Sequence, residues 1–207
     1  MAREEERLER SRQEPIVGSL PDAPGILAAI RLTPGLGVHL RGLADELLVH
    51  DFPDTTLVRA EREMLATAVS AANDCFYCMD SHGAFATALL ERTGAHERVA
   101  LVDTIKTGSS DGLDAKMQAL LHIARTVRRN ALELTLADVD DAHRAGATDG
   151  DVQLAVLIAS AFSMYNRMVD GFRAMTPPSA EAYRPRAAEI AEHGYSAPQV
   201  TSVPATR

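Results

Sequence analysis

Apolar residues recur along this chain at helical spacing almost from end to end. Between Leu57 and Ala72, the positions Leu57, Ala60, Met64, Leu65, Ala68, Val69 and Ala72 fall on one stripe of a 3.6-residue repeat. "LDAKMQALLHIARTVRR", from Leu113, carries a second such stripe. "DVQLAVLIASAFSMYNRMVDGFRAM", from Asp151, is apolar on most sides and reads as a long buried helix. Sustained strand alternation is absent, and Val, Ile, Thr and aromatic residues rarely cluster. The pattern predicts an all-α, multihelical bundle.

Breaks and caps divide that pattern. Thr33-Pro34-Gly35 separates a short helix from a second that runs to about Val49, and "HDFPDTT" is a loop. Asn73 or Asp74 can cap a helix running through "CFYCMDSHGAFATALLERT" to Gly94, which suits a C′ glycine. A shorter helix follows from Glu97 to Lys106, then the loop "TGSSDG". Thr135 with Asp138, and Thr148 with Asp151, place an acid three residues after a hydroxyl, near a capping box, and Gly146 ends the helix between them. Pro177-Pro178 stops the last long helix. A weak echo links two helix pairs, around 57–94 and 136–173, without identity enough for a duplication. The domain reading is a charged tail over 1–14, one helical domain over 15–195 and a disordered tail over 196–207.

Net charge narrows the partners. At −8 the chain is a poor match for nucleic acid or an anionic membrane surface. "REEERLERSR", from Arg3, mixes both signs and reads as a solvated tail or frayed helix. No apolar stretch approaches a bilayer span, because Asn166, Arg167 and Asp170 interrupt the longest one, and the N-terminus lacks the apolar region of a secretory signal. The expectation is a cytoplasmic protein, where thiols stay reduced and a structural disulfide is not expected.

The two cysteines of the chain stand together in "NDCFYCMDSH", as Cys75 and Cys78, with His82 four residues on. On a helix these three share one side. With a cap at Asn73 or Asp74, Cys75 lies in the first turn and Cys78 at its end, where free N–H groups favour a thiolate. A thiol near pKa 8.5 is only a few per cent ionised at neutral pH; lowering it to about 7 ionises roughly half. His82 is placed to exchange a proton with Cys78, and two sulfurs three residues apart can close a disulfide with little chain movement. Three readings stay open on these residues: a redox pair, a zinc site with Glu63 as fourth ligand, and inert packing. A thioredoxin arrangement does not fit, since a helical segment precedes the pair.

"EREMLATAVSAANDCFYCMDSHGAFA", residues 61–86, resembles the core signature of the alkylhydroperoxidase D (AhpD) and carboxymuconolactone decarboxylase family. The redox-active pattern E-x11-C-x2-C-x3-H falls on Glu63, Cys75, Cys78 and His82 without a gap. "SAAN" and Tyr77 are similar to the peroxidase-related subgroup, as are the later "FSMYNRMVDGF" and "AEHGY"; the looser resemblance runs from Pro21 to Tyr195. It implies a helical domain that assembles into trimers or hexamers and reduces hydroperoxides. By the same resemblance Cys78 attacks the peroxide and becomes a sulfenic acid, Cys75 supplies a proton and then condenses with it, and Glu63 and His82 relay protons. No bound cofactor or metal is implied; an external dithiol, in AhpD a lipoylated protein, restores the thiols.

The helix dipole alone favours Cys75 as the more acidic thiol, whereas Asp74 beside it and His82 serving Cys78 favour the family assignment. AhpD proper has a further histidine between the cysteines, where this chain has Phe76 and Tyr77. Two other functions fit the same fold: a decarboxylase acting on a lactone acid, and a redox sensor without turnover. His39, His50, His96, His122 and His143 are scattered singly. Asn166, Arg167 and Asp170 read as an internal ion pair, a subunit contact or a pocket lining.

Overall fold

The structure, a computed structural model, describes residues 2–196. Its helices are α1 (Ala2–Ser11), α2 (Ile26–Leu32), α3 (Pro34–Leu48), α4 (Arg59–Ala72), α5 (Phe76–Arg92), α6 (Val99–Lys106), α7 (Ala115–Asn130), α8 (Leu136–Arg144), α9 (Asp149–Gly171) and α10 (Arg184–His193). Short 3-10 turns lie at His96–Arg98, Ala131–Glu133 and Ala180–Tyr183, and no strand occurs among the described residues. The all-α expectation holds. The tail expected over 196–207 lies, beyond Ser196, outside the described residues.

α4 is the axis of the bundle. It packs against α5, α6, α7 and α9, and every residue from Ala60 to Ala71 is buried. Alanines at 60, 66, 68 and 71 let those neighbours approach, while Met64, Leu65 and Val69 fill the space against Leu120, Leu154 and Ile158. Its surroundings explain why a helix with polar residues in its first turns is wholly enclosed. Glu61 accepts from the Val58 N–H (3.1 Å) and pairs with Arg98 (2.9 Å), and Arg62 donates to the carbonyls of Leu57 (3.2 Å) and His50 (2.7 Å).

Most of the caps stand where the sequence puts them. Pro34 opens α3, and both Thr-Asp pairs form reciprocal capping boxes at α8 and α9. The start of α5 differs from expectation. Cys75 is the N-cap: its N–H donates to the Ser70 carbonyl (3.0 Å) and its carbonyl accepts from the Met79 N–H (2.9 Å). Asn73 is occupied elsewhere, donating to Asn166 (2.8 Å) and accepting from Arg128 (2.7 Å), and Asp74 makes the corner at φ 54°. α9 also ends earlier than expected, at Gly171, because Arg173 turns left-handed (φ 49°) before either proline is reached.

Two further findings concern the charged N-terminal run, read as a solvated tail or frayed helix, and the longest apolar helix, read as too interrupted to span a bilayer. The charged N-terminal run forms α1, whose Arg7 pairs with the buried Asp80 (2.9 Å) and whose Arg10 lies 3.5 Å from Asp170. α9, contrary to the sequence expectation, is long and apolar enough to cross a membrane by length and composition. Here its apolarity is used inside the bundle, where it packs on α4 and α7 and buries Leu154, Ile158 and Phe162.

One buried carboxylate ties the loop before α4 to the start of α9. Asp151, with no exposed surface, accepts from Thr55 Oγ1 (2.8 Å), Thr56 N (2.7 Å), Thr56 Oγ1 (2.7 Å), Leu57 N (3.2 Å) and Thr148 N (3.1 Å). Burial alone would raise its pKa, but the bonds from Thr56, Thr148 and Thr55 outweigh it and hold the carboxyl at about 2. A depressed folded-state pKa stabilises the fold above the unfolded value near 4, and that stabilisation is lost as pH falls from about 4 towards 2. Asp151→Asn should lose about 2–4 kcal/mol at pH 7, since its amide faces donors it cannot satisfy. Urea unfolding at pH 7, 4 and 2.5 should also give the variant a flatter acid dependence than the parent chain, by about 2 kcal/mol.

Candidate active site

The turn at 73–75 folds α5 back along α4. Glu63 lies nine residues before the end of α4 and His82 six after the start of α5, which sets the two roughly level across the pair. They meet: His82 Nδ1 is 2.7 Å from Glu63 Oε2. Tyr195, beyond α10, donates its hydroxyl to Glu63 Oε1 (2.6 Å) and stands 3.3 Å from His82 Nδ1. Glu63 is entirely buried, and burial together with that carboxylate pushes the Tyr195 phenol well above its ordinary range, so it acts as a donor. Phe162 meets the imidazole edge-on with ring centroids 4.5 Å apart, and Phe85 does so at 5.1 Å. With Nδ1 committed to Glu63, Nε2 is the ring nitrogen left for other partners.

Tyr195 is delivered by a backbone device. α10 ends in Gly194 at φ 75°, and the carboxylate of Asp45 on α3 accepts the N–H groups of Tyr195 (2.6 Å) and Ser196 (2.9 Å). A Cβ on Gly194 would meet Asp45 Oδ1 at 2.8 Å, so both the left-handed turn and the close approach require glycine.

The thiols sit at the other end of the same helix start. Both are free and buried, Cys75 at 0% and Cys78 at 2% exposure, with Cys75 as N-cap and Cys78 in the first turn. The Cys75 thiol hydrogen-bonds to the Cys78 sulfur; that bond first, and then burial, push Cys75 well above its ordinary range.

Cys78 and His82 line one cavity of about 50 Å³, walled by Ile26, Ile30, Leu40 and Phe162, with Arg41 at its margin. Tyr77 closes it from the α5 side. Its ring lies 2.2 Å from where a Cβ on Gly25 would stand, so only glycine admits the tyrosine there. A larger cleft, about 350 Å³, is lined by Asn73, Asn166, Arg167 and Asp170, none of which lines the first. Of these, Asn166 donates to Ser70 (3.1 Å) and Asp170 approaches Arg10, so the three residues singled out on α9 combine internal bonds with a cleft lining.

The four expected residues thus come together as two contacting pairs, Glu63 with His82 and Cys75 with Cys78, that meet at one cavity. The zinc alternative does not match this arrangement. Glu63 is turned to His82 and Tyr195, and among the described residues no three His, Cys, Asp or Glu side chains are grouped to hold a metal ion. His50, His122 and His143 pair with nearby carboxylates at about 3 Å, away from the site. Tyr195 and Asp45 were not foreseen as site residues; the only signal was the tyrosine in "AEHGY", whose distance from Glu63 in sequence hides the contact.

Residues 40–102 match the model of the carboxymuconolactone decarboxylase family, a span that contains all four motif residues. Two solved structures share the fold. One, an uncharacterized peroxidase-related protein from Silicibacter sp. TM1040, is 24% identical with a TM-score of 0.66, covering 83% of this chain and 95% of its own. The other, an uncharacterized peroxidase-related protein from Ralstonia eutropha JMP134 described as an alkylhydroperoxidase AhpD core, is 25% identical with a TM-score of 0.66, covering 80% and 82%. No curated protein matches the chain. The resemblance read from residues 61–86 is borne out.

Because Tyr195 satisfies one oxygen of a wholly buried carboxylate, Tyr195→Phe should cost about 1–3 kcal/mol in urea unfolding. Tyr183→Phe, whose hydroxyl has no hydrogen-bond partner among the described residues, should cost much less in the same assay.

Proposed function

We propose that this AhpD-like chain, with its match to the carboxymuconolactone decarboxylase family, is a thiol-dependent peroxidase that reduces hydroperoxides through Cys78 and Cys75. The observation that carries the reading is the cavity that Cys78 shares with His82. Cys78 lines it beside the imidazole that Glu63 and Tyr195 hold.

In this reading Cys78 loses its proton to His82, and its sulfur attacks the outer oxygen of the hydroperoxide. The O–O bond breaks, the alkoxide takes a proton from the His82–Glu63–Tyr195 group to leave as an alcohol, and Cys78 becomes a sulfenic acid. Cys75 then displaces water from that sulfur and closes a disulfide, so two thiols have supplied the two electrons that split the peroxide. Apolar walls around Cys78 favour an organic hydroperoxide and keep bulk water from the thiolate. An external dithiol, such as a lipoylated protein, reopens the disulfide, in a compartment that keeps thiols reduced, which the cytoplasm provides. Assembly into trimers or hexamers is part of the proposal and is checked by light scattering.

Peroxide in modest excess should remove both titratable thiols, and a dithiol should restore them. Cys78→Ser should abolish peroxide reduction, and Cys75→Ser should accumulate a sulfenic acid that dimedone traps. Glu63→Gln, which removes the negative charge that His82 faces, should slow turnover about 10²-fold. Survival of both thiols under peroxide would overturn the proposal.

A further inference from the structure

The proton relay described above serves only one of the two sulfurs. Cys78 lines the cavity with His82, whereas Cys75 does not line it and faces the end of α9. There Val169 packs in the same apolar cluster as both cysteines, and the side chain of the next residue, Asp170, comes within interaction range of the Cys75 thiol. The carboxylate of Asp170 opens onto the 350 Å³ cleft and has Arg10 of α1 at 3.5 Å.

We propose that Asp170 is the base that takes the Cys75 proton when the disulfide closes, a role that rests on the thiol-peroxidase reading. In the reduced pair the single thiol hydrogen has two acceptors, the Cys78 sulfur and Asp170. Once Cys78 carries a hydroxyl, its sulfur is no longer an anion and Asp170 is the acceptor that remains. The proton passes to an Asp170 oxygen, the Cys75 sulfur forms the S–S bond, and the S–O bond of Cys78 breaks. His82, reprotonated from solvent once the alcohol has left, gives a proton to the departing hydroxide, which leaves as water, and Asp170 releases the proton it took to the water of the cleft. Cys75 is oxidised, the sulfenic sulfur is reduced, and no further reagent is needed.

The charges around Asp170 set when it can act. Burial raises its pKa above the usual carboxylate range, and Asp74 at the α4–α5 corner adds to this. Cys75 of α5, by its hydrogen bond, and Arg10 of α1 lower it, and Arg167, from α9 itself, lines the same cleft. The rate of disulfide closure should therefore fall on the acid side as Asp170 is protonated. Removing Arg10 raises the pKa further and moves that limb to higher pH.

The experiment follows closure in single turnover on the full chain, with sulfenic acid and disulfide read separately by dimedone trapping and mass spectrometry. Asp170→Asn should form the sulfenic acid within about twofold of the parent rate, yet close the disulfide at least tenfold more slowly and without the acid limb. Arg10→Gln should keep the limb but shift it upward in pH. Closure of Asp170→Asn at the parent rate, with the same pH profile, overturns the proposal. A parallel arm uses 2,2′-dipyridyl disulfide, where Cys78 displaces the first pyridinethione and Cys75 the second. A slowed second release in Asp170→Asn supports the role of Asp170, and an unchanged one opposes it, even if hydroperoxides prove unreactive and the peroxidase reading fails.

Discussion

The site depends on a single enclosed negative charge. A carboxylate with no exposed surface is tolerated only where donors surround it, and Glu63 finds two, the imidazole of His82 and the hydroxyl of Tyr195. These come from different parts of the chain, so satisfying one group fixes the pairing of α4 with α5 and the docking of the segment after α10. The requirement reaches outward once more: Tyr195 is held by Asp45 on α3, the helix whose Leu40, Arg41 and Ala44 line the cavity. Four elements are thereby oriented by one buried oxygen pair.

That arrangement gives the two cysteines unequal surroundings despite their proximity. Cys78 lines an apolar cavity beside an imidazole, and Cys75 neighbours Asp170, a carboxylate that lines the polar cleft and has Arg10 at 3.5 Å. The helix start alone would make Cys75 the more acidic of the two. Taking the N-cap position instead leaves it at the edge of the first turn, where the neighbouring Cys78 and burial push its thiol well above the ordinary range. A shift of one or two residues in the cap thus changes the chemical division between the sulfurs, and it traces to Asn73 bonding α7 and α9 rather than its own helix.

The helices of the core and the Glu63, Cys75, Cys78 and His82 set were legible because each rests on local spacing. Periodicity marked α4, α7 and α9, and the Thr-Asp boxes marked the starts of α8 and α9. The features that escaped are those decided by distant contacts. α10 has few apolar residues and is read as a helix only when Ala187 and Ile190 are seen against Phe85. The end of α9 is set by a left-handed residue at Arg173, which no sequence rule favours, and not by the prolines downstream. Tyr195 meets Glu63 across 132 positions, and α1 is held by Arg7 on a buried Asp80 that looks, in sequence, like any surface acid.

That 132-residue closure bears on how the molecule acquires reactivity. Contacts of such sequence separation form late, because the loop entropy must be overcome before the contact can reward it. A chain that has paired α4 with α5 but not yet seated its last helix leaves Glu63 short of one donor, and the imidazole beside Cys78 unsteadied. Competence to handle an oxidant therefore arrives with the native state as a whole, and a chain whose last helix is not seated carries two sulfurs without the machinery that would set one of them to work.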